Sequence, residues 1–86
     1  MSMFYDRIPF GVYKKTIASS IERWYKNAAI DYDVTGGLIS ITEDSDTIEI
    51  RHHEDGVKFQ FRMKWYKDYS PEQVFDIWST AEWQEM

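Results

Sequence analysis

Residues 57–66 alternate apolar and polar positions without a break, with Val57, Phe59, Phe61, Met63 and Trp65 on one side and Lys58, Gln60, Arg62 and Lys64 on the other. A side-chain period of two is that of a β-strand with one buried face and one solvated face. Shorter alternations precede it at residues 38–42 and 47–52, separated by the acidic run Glu43-Asp44-Ser45-Asp46 and followed by Glu54-Asp55-Gly56. Polar, turn-prone linkers of this length join antiparallel neighbours, so the three segments read as a β-meander.

The pattern changes period at both ends of the chain. Tyr13, Ile17, Ile21, Trp24 and Ala28 recur at steps of four, four, three and four. That is one face of an α-helix, entered after Pro9 and Gly11 and running to about Ala29. The stretch from Asp31 to Gly37, with its paired glycines, breaks the helical period and reads as a turn. Near the other end, Ser70-Pro71-Glu72-Gln73 has the spacing of a capping box with proline at the first helical position. Val74, Phe75, Ile77, Trp78 and Ala81 supply the apolar stripe behind it, and residues 83–86 read as a short tail. The expected fold is α+β, a helix, a three-stranded antiparallel meander and a helix (αβββα). Both helices cover the single apolar face of the sheet, in one compact domain spanning residues 1–86. An open three-stranded sheet has two free edges, so the expected state is a monomer or a homodimer formed by strand-edge pairing.

Composition sharpens this outline. A chain of 86 residues hides only about 60–65% of its unfolded surface, so large side chains must supply the burial. Four Trp, six Tyr and five Phe do so. Of these, Phe4, Tyr5, Phe10, Tyr25, Tyr32, Tyr66, Tyr69 and Trp83 fall outside the expected core stripes and are candidates for contacts with a partner. No cysteine is present, which excludes a disulfide scaffold and any thiolate-ligated metal or redox site. The first residues carry no signal-peptide-like apolar run, and nowhere do 18 apolar residues follow one another, so a cytoplasmic protein that does not enter membranes is expected.

Charge is segregated along the chain. Residues 1–30 carry +3, residues 31–56 carry −7, residues 57–67 carry +4 and residues 68–86 carry −5, for a net charge of −5. Two different surfaces follow. The acidic candidates are Asp31, Asp33, Glu43, Asp44, Asp46, Glu54 and Asp55 from loops, with Glu72, Asp76 and Glu82 from the last helix region and Trp83 beside them. The basic candidates are Arg51, Lys58, Arg62 and Lys64 on the open face of the sheet. The simplest account of either set is solvation of an ordinary surface, with lysines and arginines also discouraging edge-to-edge aggregation.

Catalytic signatures are sparse. His52-His53-Glu54-Asp55 contains metal-ligating types, but neighbours on a strand point to opposite faces, so a solvated turn is expected and no metal or other cofactor. Gly36-Gly37 lacks the following lysine and helix start of a phosphate loop, and Ser19-Ser20 has no base at a usable spacing. A non-catalytic protein is expected.

In element order the chain resembles the double-stranded RNA-binding domain. That family grips phosphate with lysines at the start of its second helix, where this chain has Ser70, Pro71, Glu72 and Gln73, so no RNA-binding residue carries over. In size, acidity and helix-sheet-helix arrangement it also looks like the small phage-encoded inhibitors of host defence, anti-CRISPR proteins among them. That likeness implies an acidic inhibitor that mimics nucleic acid and occupies the basic groove of a host nucleic-acid-handling protein, such as a CRISPR or restriction effector. Two alternatives stand beside it: a nucleic-acid-binding module using the basic sheet face, and an immunity protein or antitoxin that neutralises a nuclease.

Overall fold

A computed structural model describes residues 7–27, 39–54 and 56–86. Helix α1 (Phe10–Asn27) leads to strands β1 (Ile39–Asp44), β2 (Thr47–Glu54) and β3 (Val57–Lys64). A single 3-10 turn (Tyr66–Asp68), helix α2 (Pro71–Thr80) and a two-residue strand β4 (Gln84–Glu85) complete the chain. The expected turn at 31–37 and the end of the first helix at Ala28 and Ala29 lie outside the described residues.

The sheet is antiparallel in the order β1-β2-β3-β4. Ile41 faces Ile50 and Ile50 faces Phe61, while Thr42 faces Glu49 and Glu49 faces Arg62. One face is therefore apolar and the other charged, as the alternation requires. Tyr13, Ile17, Ile21 and Tyr25 of α1 and Val74 and Trp78 of α2 form a common core with Ile39, Ile41, Ile48 and Ile50. Both helices cover the same face of the sheet. Tyr13 donates from its hydroxyl to the Tyr69 carbonyl at 2.6 Å, whereas Trp24 meets Trp78 at 5.4 Å between ring centroids, so the helices run side by side in the same direction.

The start of α2 follows its sequence signature. The Ser70 hydroxyl accepts from the Gln73 N–H at 3.2 Å, and Gln73 Oε1 accepts from the Ser70 N–H at 2.8 Å. Two otherwise orphaned donors are thereby satisfied reciprocally.

Several expectations are corrected. The alternation of the long strand does not continue through Trp65: its backbone turns left-handed at φ 59, and the indole is 49% exposed. Its N–H donates to the Asp46 carbonyl at 2.7 Å, which closes β3 against the β1–β2 loop and swings the next residue inward. Tyr66, placed outside the core by its parity, is consequently fully buried. Tyr25, also placed outside, extends the α1 stripe by one turn after Ile21 and is buried as well. The strands outrun the expected loops, leaving only Ser45 and Asp46 between β1 and β2, with Ser45 at φ 58. A positive φ at the first loop position suits a two-residue hairpin.

The C-terminal tail is a fourth strand. Gln84 pairs with Gln60 and Glu85 with Phe59, and the Met86 N–H donates to the Lys58 carbonyl at 2.9 Å. Part of the β3 edge expected to be open is thus occupied.

Candidate functional site

The register separates the candidate charges into distinct regions. Arg51, Lys58, Arg62 and Lys64 share the open face with Ser40, Thr42, Thr47, Glu49, His53 and Gln60. Within this set Glu49 bridges two cations, at 2.9 Å to Arg51 Nε and 3.6 Å to Arg62 Nε. Lys64 places its ammonium 5.2 Å from the centre of the Trp65 ring. Among the described strand residues the open face carries no Phe, Tyr or Trp, and His53 is its one ring, so it offers little of a base-stacking platform.

The acidic candidates do not form one surface. Asp44 and Asp46 lie at the β1–β2 loop, while Glu54 lies at the far end of β2, about eight strand residues or roughly 25 Å away. Glu72 and Asp76 stand one helical turn apart on the exposed side of α2, beside Arg23 and Trp24 of α1 in an open groove. Glu82 follows α2, near Arg62 at the β3 edge. Asp31, Asp33 and Asp55 lie outside the described residues.

Glu43 has a structural task. Its strand position faces the helix layer, where its carboxylate accepts the hydrogen bond of the buried Tyr66 hydroxyl. Burial first, then that hydrogen bond and the carboxylate charge, push the Tyr66 phenol well above its ordinary range, so it stays a proton donor. Phe10 and Tyr13 meet the same ring edge-on at 6.4 and 4.9 Å.

His52 is the largest departure from expectation. The solvated turn expected at residues 52–55 is instead strand, and parity turns His52 to the apolar face, where it is fully buried. Its ring stacks on Phe59 at 5.5 Å and meets Trp83 edge-on at 4.5 Å and Trp78 at 5.1 Å. Neither ring nitrogen has a hydrogen-bond partner, and the nearest charge is the Glu54 carboxylate at 4.0 Å. Loss of solvation, reinforced by neighbouring His53, lowers its pKa to about 4, so the ring is neutral at pH 7. Among the described residues no three His, Asp or Glu side chains converge on a point where a metal ion would sit.

Trp83 belongs to this same cluster. Its indole N–H donates to the Trp78 carbonyl at 2.7 Å, and its ring contacts Trp24, His52, Phe59 and Trp78. The contact folds the chain back after α2 and aims Gln84 at the β3 edge.

What sequence reasoning missed is at the loop end of the sheet. Exposed Trp65 shares a cleft with Glu43, Ser45, Asp46, Tyr66 and Lys67, next to exposed Asp44 and Tyr69. The strict alternation hid Trp65 among core residues. The signal that could have found it is the adjacency of Trp65 and Tyr66, because two large aromatics in a row cannot both face the core from one strand.

No described helix is long and apolar enough to cross a membrane. Comparison with protein-family models, with curated proteins and with solved structures finds no match.

Proposed function

We propose that this chain is a non-catalytic protein-binding domain that docks on a basic partner through the β1–β2 end of its sheet. Trp65 is the anchor, and Asp44 and Asp46 are the carboxylates beside it, with Lys64 and Lys67 also close to the ring. The observation that carries the reading is Trp65 itself. A half-exposed indole on a non-glycine residue in the left-handed region combines a solvation cost with a conformational cost of about 1–3 kcal/mol. Tryptophan is also the residue type that most often dominates binding energy, when it fills a partner's pocket and neighbouring contacts exclude water. The neighbouring carboxylates favour a cationic rim on that pocket and speed encounter with it.

The partner class that suits this pole is a nucleic-acid-handling protein, whose basic groove offers the complementary field. Occupation of that groove by this acidic chain would block nucleic acid, which is the inhibitor reading; an immunity protein or antitoxin acting on a nuclease would use the same physics. The nucleic-acid-module reading is favoured by one observation, the shared face of Arg51, Lys58, Arg62 and Lys64. Against it stand Glu49 among those cations and the lack of Phe, Tyr or Trp among the described strand residues of that face.

Affinity capture from cytoplasmic extract, followed by nucleic-acid competition, tests the proposal. A basic partner should be retained by the parent chain, lost with Trp65→Ala and with the Asp44→Lys/Asp46→Lys pair, and displaced by oligonucleotide. Capture that ignores both variants, or a partner that still binds nucleic acid while holding the chain, would overturn it. Direct retention of oligonucleotide by the chain, lost with Arg62→Gln and Lys64→Gln, would move the function to the sheet face.

A further inference from the structure

The open face of the sheet is not flat. At the end of the sheet near the β2–β3 turn a cleft of about 210 Å³ is lined by Ser40, Arg51, His52, His53, Lys58, Phe59 and Met86. The register places Ser40 opposite Arg51 and His53 opposite Lys58, so these four side chains make a contiguous patch across three strands. His52, whose side chain is buried on the other face, also lines the cleft.

Its lining is unusual for this protein. Acids outnumber Lys and Arg by 15 to 10, and four other clefts each include at least one carboxylate residue. No Asp or Glu side chain is among the described residues lining this cleft, which presents a guanidinium, an ammonium, an imidazole and a hydroxyl beside Met86. Glu49 approaches from outside the lining, 2.9 Å from Arg51 Nε.

From this we infer that the cleft between Ser40, Arg51, His53 and Lys58 binds a small phosphate-type dianion, either inorganic phosphate or the terminal phosphoryl group of a phosphomonoester. The donors suit it: a planar guanidinium pairs with two oxygens at once, an ammonium adds a point charge, and a hydroxyl and an imidazole supply further hydrogen bonds. Size sets the upper limit. The cavity falls below the roughly 300–1,000 Å³ typical of sites that enclose a whole organic ligand, so the charged group alone is held. Glu49 competes with the ligand for Arg51 and holds the guanidinium in place in its absence. The site is independent of the docking pole at Trp65, since no residue is shared.

The test is a two-dimensional NMR titration of the full chain at fixed ionic strength, using inorganic phosphate, a nucleoside monophosphate and a single-stranded oligonucleotide, with chloride as the reference anion. Saturable shifts centred on Ser40, Arg51, His53 and Lys58 are expected with the first two probes. Arg51→Gln and Lys58→Gln should each weaken binding about tenfold, the usual consequence of deleting a charge-assisted hydrogen bond. Glu49→Gln should tighten it by releasing Arg51. Lys64→Gln, on the same face but outside the cleft and with no contact to Glu49 or Arg51, should leave it within about twofold, as expected for sites without shared partners. Shifts that grow linearly and match those of chloride, or a Lys64→Gln loss equal to that of Lys58→Gln, would overturn the site. Tighter binding of oligonucleotide, with shifts spreading over Arg62 and Lys64, would overturn it in favour of a nucleic-acid face.

Discussion

At the scale of single residues, two side chains behave against type. His52 is a titratable group in an aromatic cage of Tyr25, Phe59, Trp78 and Trp83, with His53 and Glu54 the nearest charged or titratable neighbours. Its folded pKa, about 4, lies below the ordinary value of 6.5, so the unfolded chain binds the extra proton between those values. Its contribution is present above about pH 6.5 and is lost as pH falls toward 4, by an amount on the order of 3 kcal/mol. Urea unfolding at pH 7.5, 5.5 and 4 should show this loss, and His52→Phe should make the curve shallower over the same range. An equal slope in both proteins would place the acid sensitivity elsewhere. Trp65 is the converse case, a large apolar group left outside. Trp65→Asn places there a residue that tolerates positive φ, so stability should fall by less than about 1 kcal/mol while partner capture is lost. A larger loss of stability would mean that the indole serves the fold.

At the scale of elements, the ends of α2 are held by different devices. Its N-terminus was legible because capping is local: Ser70, Pro71 and Gln73 specify it within four positions. Ser70→Ala should therefore cost about 1 kcal/mol in thermal or urea unfolding, with Ser70→Gly costing less. The C-terminus is held by Trp83 reaching back to the Trp78 carbonyl, a contact that no spacing rule announces. Trp83→Ala should destabilise by about 2–4 kcal/mol, slightly under the range for a fully buried tryptophan. It should also release β4, which hydrogen exchange would register as faster exchange of the Met86 amide, whose bond to Lys58 would no longer be held. Unaltered exchange there would show that β4 pairs without its aromatic tether. The 3-10 turn was not legible either. It exists because Trp65 departs from the strand and Tyr66 must enter the core beside Tyr13.

At the scale of the whole molecule, charge segregation in sequence becomes separation in space, but not as two opposed poles. The cations of residues 57–64 stay together because one strand and its parity hold them on one face. The acids disperse because they come from both ends of the sheet and from the helix layer, and Glu43 is withdrawn to satisfy Tyr66. Partner binding through Asp44 and Asp46 should therefore weaken with salt only modestly, as two or three charges would imply rather than all fifteen acids. Binding measured between 50 and 200 mM salt checks this, and a steep dependence would require the α2 acids as well.

The sequence by itself determined whatever rests on periods and local signals: the element order, the apolar face of each strand, the hairpins and the capped start of α2. These are decided by neighbours within a few residues, and each repeats or is chemically explicit. Only the tertiary structure decided what depends on one element meeting another. The Asp46 carbonyl turns Trp65 outward, Glu43 meets Tyr66 across 23 positions, and Trp83 folds β4 onto β3. It also buries His52 among rings, because strand parity continues through residues whose polarity marks them as a turn. Long-range packing chooses among locally equivalent placements, and that choice set both the exposed anchor and the basic cleft.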